Sequence, residues 1–133
     1  MDAQTRDVLI ECTKASDEER VTFPDVVMKL IGAGVERYHA DLLRSEKIYY
    51  LPNGESEAVL CDAIGVVPPP EFSAQGVDDA VRAIQAGKIQ YRAFCERVMA
   101  AGCVGYFVSM AGKRAIYYGR TGDSHVEWFP GAK

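Results

Sequence analysis

The chain has two histidines, and each lies two residues from a carboxylate, in His39-Ala40-Asp41 and His125-Val126-Glu127. On an extended strand alternate residues share a face, so each pair would set an imidazole beside a carboxylate. If the two pairs met across a cleft, His39, Asp41, His125 and Glu127 could move protons or hold a metal through mixed nitrogen and oxygen ligands. Arg37, Tyr50, Glu57 and Tyr118 are the candidate ligand-binding residues around them. The plainer reading of Arg37, His39 and Asp41 at alternate positions is a solvated strand face. It is favoured here, because no H-x-H or H-E-x-x-H set is present.

Other chemistries find less support. Gly102-x-x-Gly105 lacks the Gly-Lys-Ser/Thr continuation of a phosphate loop, and Ser45, Ser56, Ser109 and Ser124 sit in no nucleophile elbow. The four cysteines are spaced by 49, 34 and 8 residues without a C-x-x-C, and read as small buried hydrophobes rather than zinc ligands. No metal and no cofactor are expected. The net charge of -4 in 133 residues argues against a nucleic-acid or anionic-membrane partner, both of which favour a basic face. The N-terminal Met1-Asp2-Ala3-Gln4-Thr5-Arg6-Asp7 is polar, with no apolar export segment behind it, so the expected location is cytoplasmic.

The elements that would position these residues come in two sets. With an offset of 68, residues 33 to 56 align with residues 101 to 124 without a gap, and 8 of the 24 positions are identical. Average composition would give about 1.5. Phe23, Val26, Val27, Leu30 and Ile31 fall on Tyr91, Phe94, Cys95, Val98 and Met99, an apolar stripe at helical spacing in both copies. Thr22, Pro24 and Asp25 mark the start of the first of these helices, and an Ala-Gly pair ends both. Earlier helices are expected over 2–13 and 77–86.

Beyond the Ala-Gly pairs the period becomes two. Tyr38, Ala40 and Leu42 in the first copy, and Val104, Tyr106, Val108 and Met110 in the second, should face the helices. Second strands are expected over 47–51 and 115–119, and third strands over 55–61 and 123–129. Tyr49 and Tyr117 should be core residues. The fold class is therefore α+β, a tandem duplication of a helix-helix-three-stranded antiparallel meander unit sharing one core. The domain reading is a single domain over 1–133, with a first copy over 1–64, a proline-rich connector over 65–71 and a second copy over 72–133.

A two-residue Asn53-Gly54 turn would place Tyr50 opposite Glu57 and Ile48 opposite Val59. The matching turn in the second copy would place Tyr118 opposite His125 and Ile116 opposite Glu127. On that register the face away from the helices carries Arg37, His39, Asp41, Tyr50 and Glu57 from one copy, and Phe107, Tyr118, His125 and Glu127 from the other. Both histidines land there.

The run Phe23-Pro24-Asp25-Val26-Val27, the segment Ala33 to Leu42, then Tyr49-Tyr50 and Asn53-Gly54-Glu55-Ser56 resemble a YdfO-like bacterial and prophage-borne family of unknown function. The late Tyr117-Tyr118-Gly119-Arg120-Thr121-Gly122 is similar to it as well. The resemblance implies an α+β fold and a small cytosolic accessory protein of mobile-element origin. It carries over no activity, cofactor or catalytic residue, and the family's occasional label of phage envelope protein fits poorly with a chain lacking an anchor.

The functional expectation is a non-enzymatic binding or protein-interaction module with an unknown protein or small-molecule partner, a homodimer being one option. The alternative is a small enzyme or small-ligand binder using the His/carboxylate residues of the outer sheet face.

Overall fold

The computed structural model describes residues 1–132. Helix α1 (Ala3–Asp17) and helix α2 (Phe23–Gly32) precede strands β1 (Arg37–Asp41), β2 (Glu46–Tyr50) and β3 (Ser56–Leu60). The same order then recurs as α3 (Ala74–Gln85), α4 (Tyr91–Ala100), β4 (Cys103–Ser109), β5 (Arg114–Gly119) and β6 (Ser124–Trp128). The strands form one antiparallel sheet in the order β3-β2-β1-β4-β5-β6.

Local sequence accounts for the element ends. Thr22 accepts from the Asp25 N–H while the Asp25 carboxylate accepts from the Thr22 N–H, a capping box that satisfies two donors at the start of α2. Gly34 and Gly102 follow the last residues of α2 and α4 at φ +85° and +97°, a left-handed conformation that costs glycine least. Helix α1 runs four residues beyond the expected Thr13, since Thr13, Ala15 and Ser16 are also buried. Its Thr13 hydroxyl donates back to the Leu9 carbonyl at 2.9 Å, so a polar side chain stays satisfied inside the helix layer.

The core lies between the helices and one face of the sheet. Tyr38, Tyr49, Tyr106 and Tyr117 contribute from the strands, and Leu9, Leu30, Val77, Val98 and Met99 from the helices. The tyrosine hydroxyls find partners inside: Tyr49 pairs with Thr13 at 2.7 Å and Tyr106 with Tyr91 at 2.8 Å. Tyr49 and Tyr117 are core residues as expected, and the Tyr49 hydroxyl turns to α1. Cys12, Cys95 and Cys103 are buried and Cys61 is half-buried. Burial pushes the Cys95 and Cys103 thiols up to about 11, the direction of inert rather than reactive sulfur.

The segment 61–73 joining the two sets of elements is packed, not a free spacer. Ile64 and Val66 lie against the core, and the Pro68 carbonyl accepts from Arg120 at 3.3 Å.

Candidate functional site

The register of both outer strands differs from the expected one by a single residue. Tyr50 pairs with Ser56 and Tyr49 with Glu57; Tyr118 pairs with Ser124 and Tyr117 with His125. The cause is the turn. Leu51 N–H donates to the Glu55 carbonyl and Gly54 N–H to the Leu51 carbonyl, with Gly54 at φ +92°, so the loop is a three-residue type I turn closed by a left-handed glycine. Gly119, Gly122 and Asp123 repeat the arrangement, with Gly122 at φ +88°. One extra loop residue turns every side chain of the third strand to the other face. Glu57, His125 and Glu127 therefore lie on the helix side, and the expectation that they line the outer face is corrected.

Three cross-strand rows make up the helix-free face. One contains Ser56, Tyr50, Arg37, Ser109, Arg114 and Trp128. The middle row runs Ala58, Ile48, His39, Phe107, Ile116 and Val126. The third runs Leu60, Glu46, Asp41, Gly105, Tyr118 and Ser124. The first row is basic and aromatic: Arg37 lies 4.2 Å from the Tyr50 ring centre, and Arg114 lies 5.1 Å from that of Trp128. Asp41 and Glu46 make the third row acidic, and the middle row is apolar apart from His39. Ile48, Phe107 and Ile116 are half-buried, while Val126 is 40% and Leu60 77% exposed.

His39, Asp41 and Tyr118 are the candidates brought together on this face. His39 Nε2 and the Tyr118 hydroxyl are 2.5 Å apart, and the rings stack at 5.8 Å. Gly105 makes room for this bond, since a Cβ there would lie 2.5 Å from the Tyr118 hydroxyl and 2.8 Å from the Ala40 carbonyl oxygen. Burial, then the nearby Asp41 charge, raise the Tyr118 phenol above its ordinary value. A phenol so shifted is a hydrogen-bond donor rather than a base. Asp41 itself is committed to its turn, accepting from the Leu43 N–H at 3.1 Å and the Arg44 N–H at 3.0 Å. The trio therefore resembles a fixed polar contact more than a proton relay.

On the opposite face His125 and Glu127 meet residues of α3. Asp78, His125 and Glu127 each offer a ligand atom, all within 4.8 Å of one another. Arg82 occupies the same ground, in direct contact with Glu127 and 3.4 Å from Asp78. A divalent ion would have to displace that guanidinium, so the geometry reads as an ion-pair network clamping α3 to β6. His125 Nε2 is buried without a hydrogen-bond partner and lies 3.7 Å from Asp78. Arg82→Leu should lower stability by about 1 kcal/mol, and adding Asp78→Asn should recover part of it by relieving carboxylate repulsion. Urea titration of the four-member cycle would measure this; additive single effects would disprove the network. Asp78 and Arg82 share a helix face, yet only the strand register showed that they face His125. Glu57, likewise on the helix side, pairs with Arg6 of α1 at 3.0 Å.

Lys47 escaped the sequence reading although alternation with Tyr49 already placed it inward. It is 4% exposed, with its ammonium 4.7 Å from the Tyr91 ring centre. Desolvation lowers its affinity for a proton, opposed by the surrounding Cys61, Cys95 and Asp17.

Residues 62–126 match the family described as "Protein of unknown function (DUF1398)". The match runs from the joining segment through α3, α4, β4 and β5 into β6. No curated protein matches the chain.

Proposed function

We propose that the protein is a non-enzymatic protein-interaction module whose binding surface is the helix-free face of the sheet. One observation carries this reading: helices cover a six-stranded sheet on one side only, leaving on the other a middle row that is apolar apart from His39 and ends in the exposed Val126, with Leu60 exposed in the row beside it. Contiguous apolar surface of this extent is uncommon on a protein that binds nothing. The placement of His39 and His125 on opposite faces also favours a surface over a shared acid/base centre. Four unbridged cysteines suit a reducing, cytosolic setting.

The scaffold is read as a tandem duplication over 1–64 and 72–133. His39 and Phe107, equivalent under the offset of 68, are direct partners in the central strand pair. That is the pairing expected when two equal units join about a pseudo-two-fold axis. A family match confined to 62–126 covers close to one such unit, which supports the same division.

A photo-crosslinking residue at Val126, on the sheet face, should give adducts to protein in cells. The same residue at Met28, which is 72% exposed on α2, should give only background. Equal or absent yields at the two positions would overturn the reading.

A further inference from the structure

We infer that the occupant of the helix-free face is a second copy of this chain, stacked sheet to sheet about a two-fold axis lying along the rows; this rests on the interaction-module reading above. Charge complementarity carries the choice. Glu46 and Arg114 are equivalent under the offset of 68, as are Arg37 and Gly105, and Asp41 and Ser109. The face therefore has nearly two-fold shape, with the outward Arg37 and Arg114 at one end of the strands and the outward Asp41 and Glu46 at the other, although Glu36 pairs with Arg37 and Arg44 with Glu46 at the margins.

Only one family of face-to-face arrangements uses this polarity. An axis along the strands through the sheet centre would lay Arg37 over Ser109 and Asp41 over Gly105, so that each row meets its own kind and no opposite charges face each other. An axis along the rows reverses the strand direction of the second copy and lays Arg37 over Asp41, with apolar row on apolar row. Both arginine-to-aspartate contacts then form at once, because a two-fold interface repeats each contact. Aligned sheets pack about 10 Å apart with a rotation of about 30°, close enough for these side chains to meet.

The area is adequate for a reversible dimer. Six strands about 4.8 Å apart and five residues long span a face of roughly 500 Å², or about 1,000 Å² for the pair. That is the lower end for a specific interface, so the expected dissociation constant is micromolar.

Sedimentation equilibrium should show a monomer–dimer equilibrium for the unmodified chain. Arg37→Asp and Asp41→Arg should each weaken it at least tenfold, and an equimolar mixture of the two variants should dimerise again, since every facing pair is then of opposite sign. Because Asp41 also holds its turn, Asp41→Asn, which keeps an acceptor there, should weaken the dimer without changing the melting temperature. A chain that stays monomeric to about 1 mM overturns self-association, as does a dimer indifferent to these substitutions. Val126 crosslinks exclusively to other proteins would keep the interaction-module reading while removing this one.

Discussion

Gly102→Ala should destabilise the protein by about 3–5 kcal/mol, while the same change at the equivalent Gly34 should cost about 1 kcal/mol. Both glycines hold the left-handed cap after a helix, at φ +97° and +85°, so the backbone penalty is common to the two variants. What differs is the surroundings. A Cβ on Gly34 meets nothing within 4 Å, whereas one on Gly102 would run into the backbone of Glu71 and Phe72. That backbone belongs to the joining segment, which is tied down beside Gly102 by the Ser73 N–H donating to the Ala101 carbonyl at 2.7 Å. Phe72 also packs on Gly119, so displacing the segment would disturb β5 as well as the start of α3. Urea denaturation of both variants would read the difference, which isolates the steric cost of the segment from the strain common to both caps. Equal losses would mean that the segment yields freely.

Lys47→Met should stabilise the protein by about 2 kcal/mol at neutral pH. The side chain is buried with no salt bridge within 4 Å among the described residues, so an apolar chain of similar length keeps the packing and removes a charge-burial cost. The pH dependence gives a second measurement. Folding lowers the Lys47 proton affinity below that of the unfolded chain, whose value is near 10.5. Between the folded and unfolded values the unfolded state binds more protons, so stability rises with pH across that window. The penalty is fully present below the folded value and is gone above the unfolded one. From about pH 9 upward an opposite contribution begins, because burial holds the Cys95 and Cys103 thiols, and then the Tyr38, Tyr91 and Tyr106 phenols, protonated while their unfolded counterparts ionise. Comparing the unmodified chain with Lys47→Met over the same pH range separates the two, since the substitution removes the rise and leaves the cysteine and tyrosine fall. An unchanged pH profile would mean that Lys47 reaches solvent in solution. The equivalent residue in the second half is Ala115, so methionine at 47 restores the apolar character found there.

Much of the architecture is legible in residue order. The Thr22-Phe23-Pro24-Asp25 start signal, the two Ala-Gly stops and the change from helical to alternating apolar periodicity are local patterns, and local hydrogen bonding enforces them. The inward placement of Tyr38, Tyr49, Tyr106 and Tyr117 follows from the same alternation. The same alternation places Lys47 inward, against the ordinary burial preference of a charged residue. The candidate site was less legible. His39, Asp41 and Tyr118 converge because β1 and β5 flank β4, an adjacency between residues 79 apart in the case of His39 and Tyr118.

The sequence by itself determined the repeated helix-helix-strand order, the inner faces of the first two strands in each set, and the mixture of charges on the sheet. Only the tertiary structure decided which side of the sheet receives His125, Glu127 and Glu57. The physical reason is that a strand has a period of two. Asn53-Gly54 is compatible with either a two-residue turn or the tail of a three-residue one, and this difference of one residue inverts the whole strand. Pairing β1 with β4 then placed His39 beside Phe107 and brought two half-sheets into one face, with arginines at one end and carboxylates at the other. No local pattern encodes that polarity, because each charged residue contributing to it is contributed by a strand that acquires its neighbours only on folding.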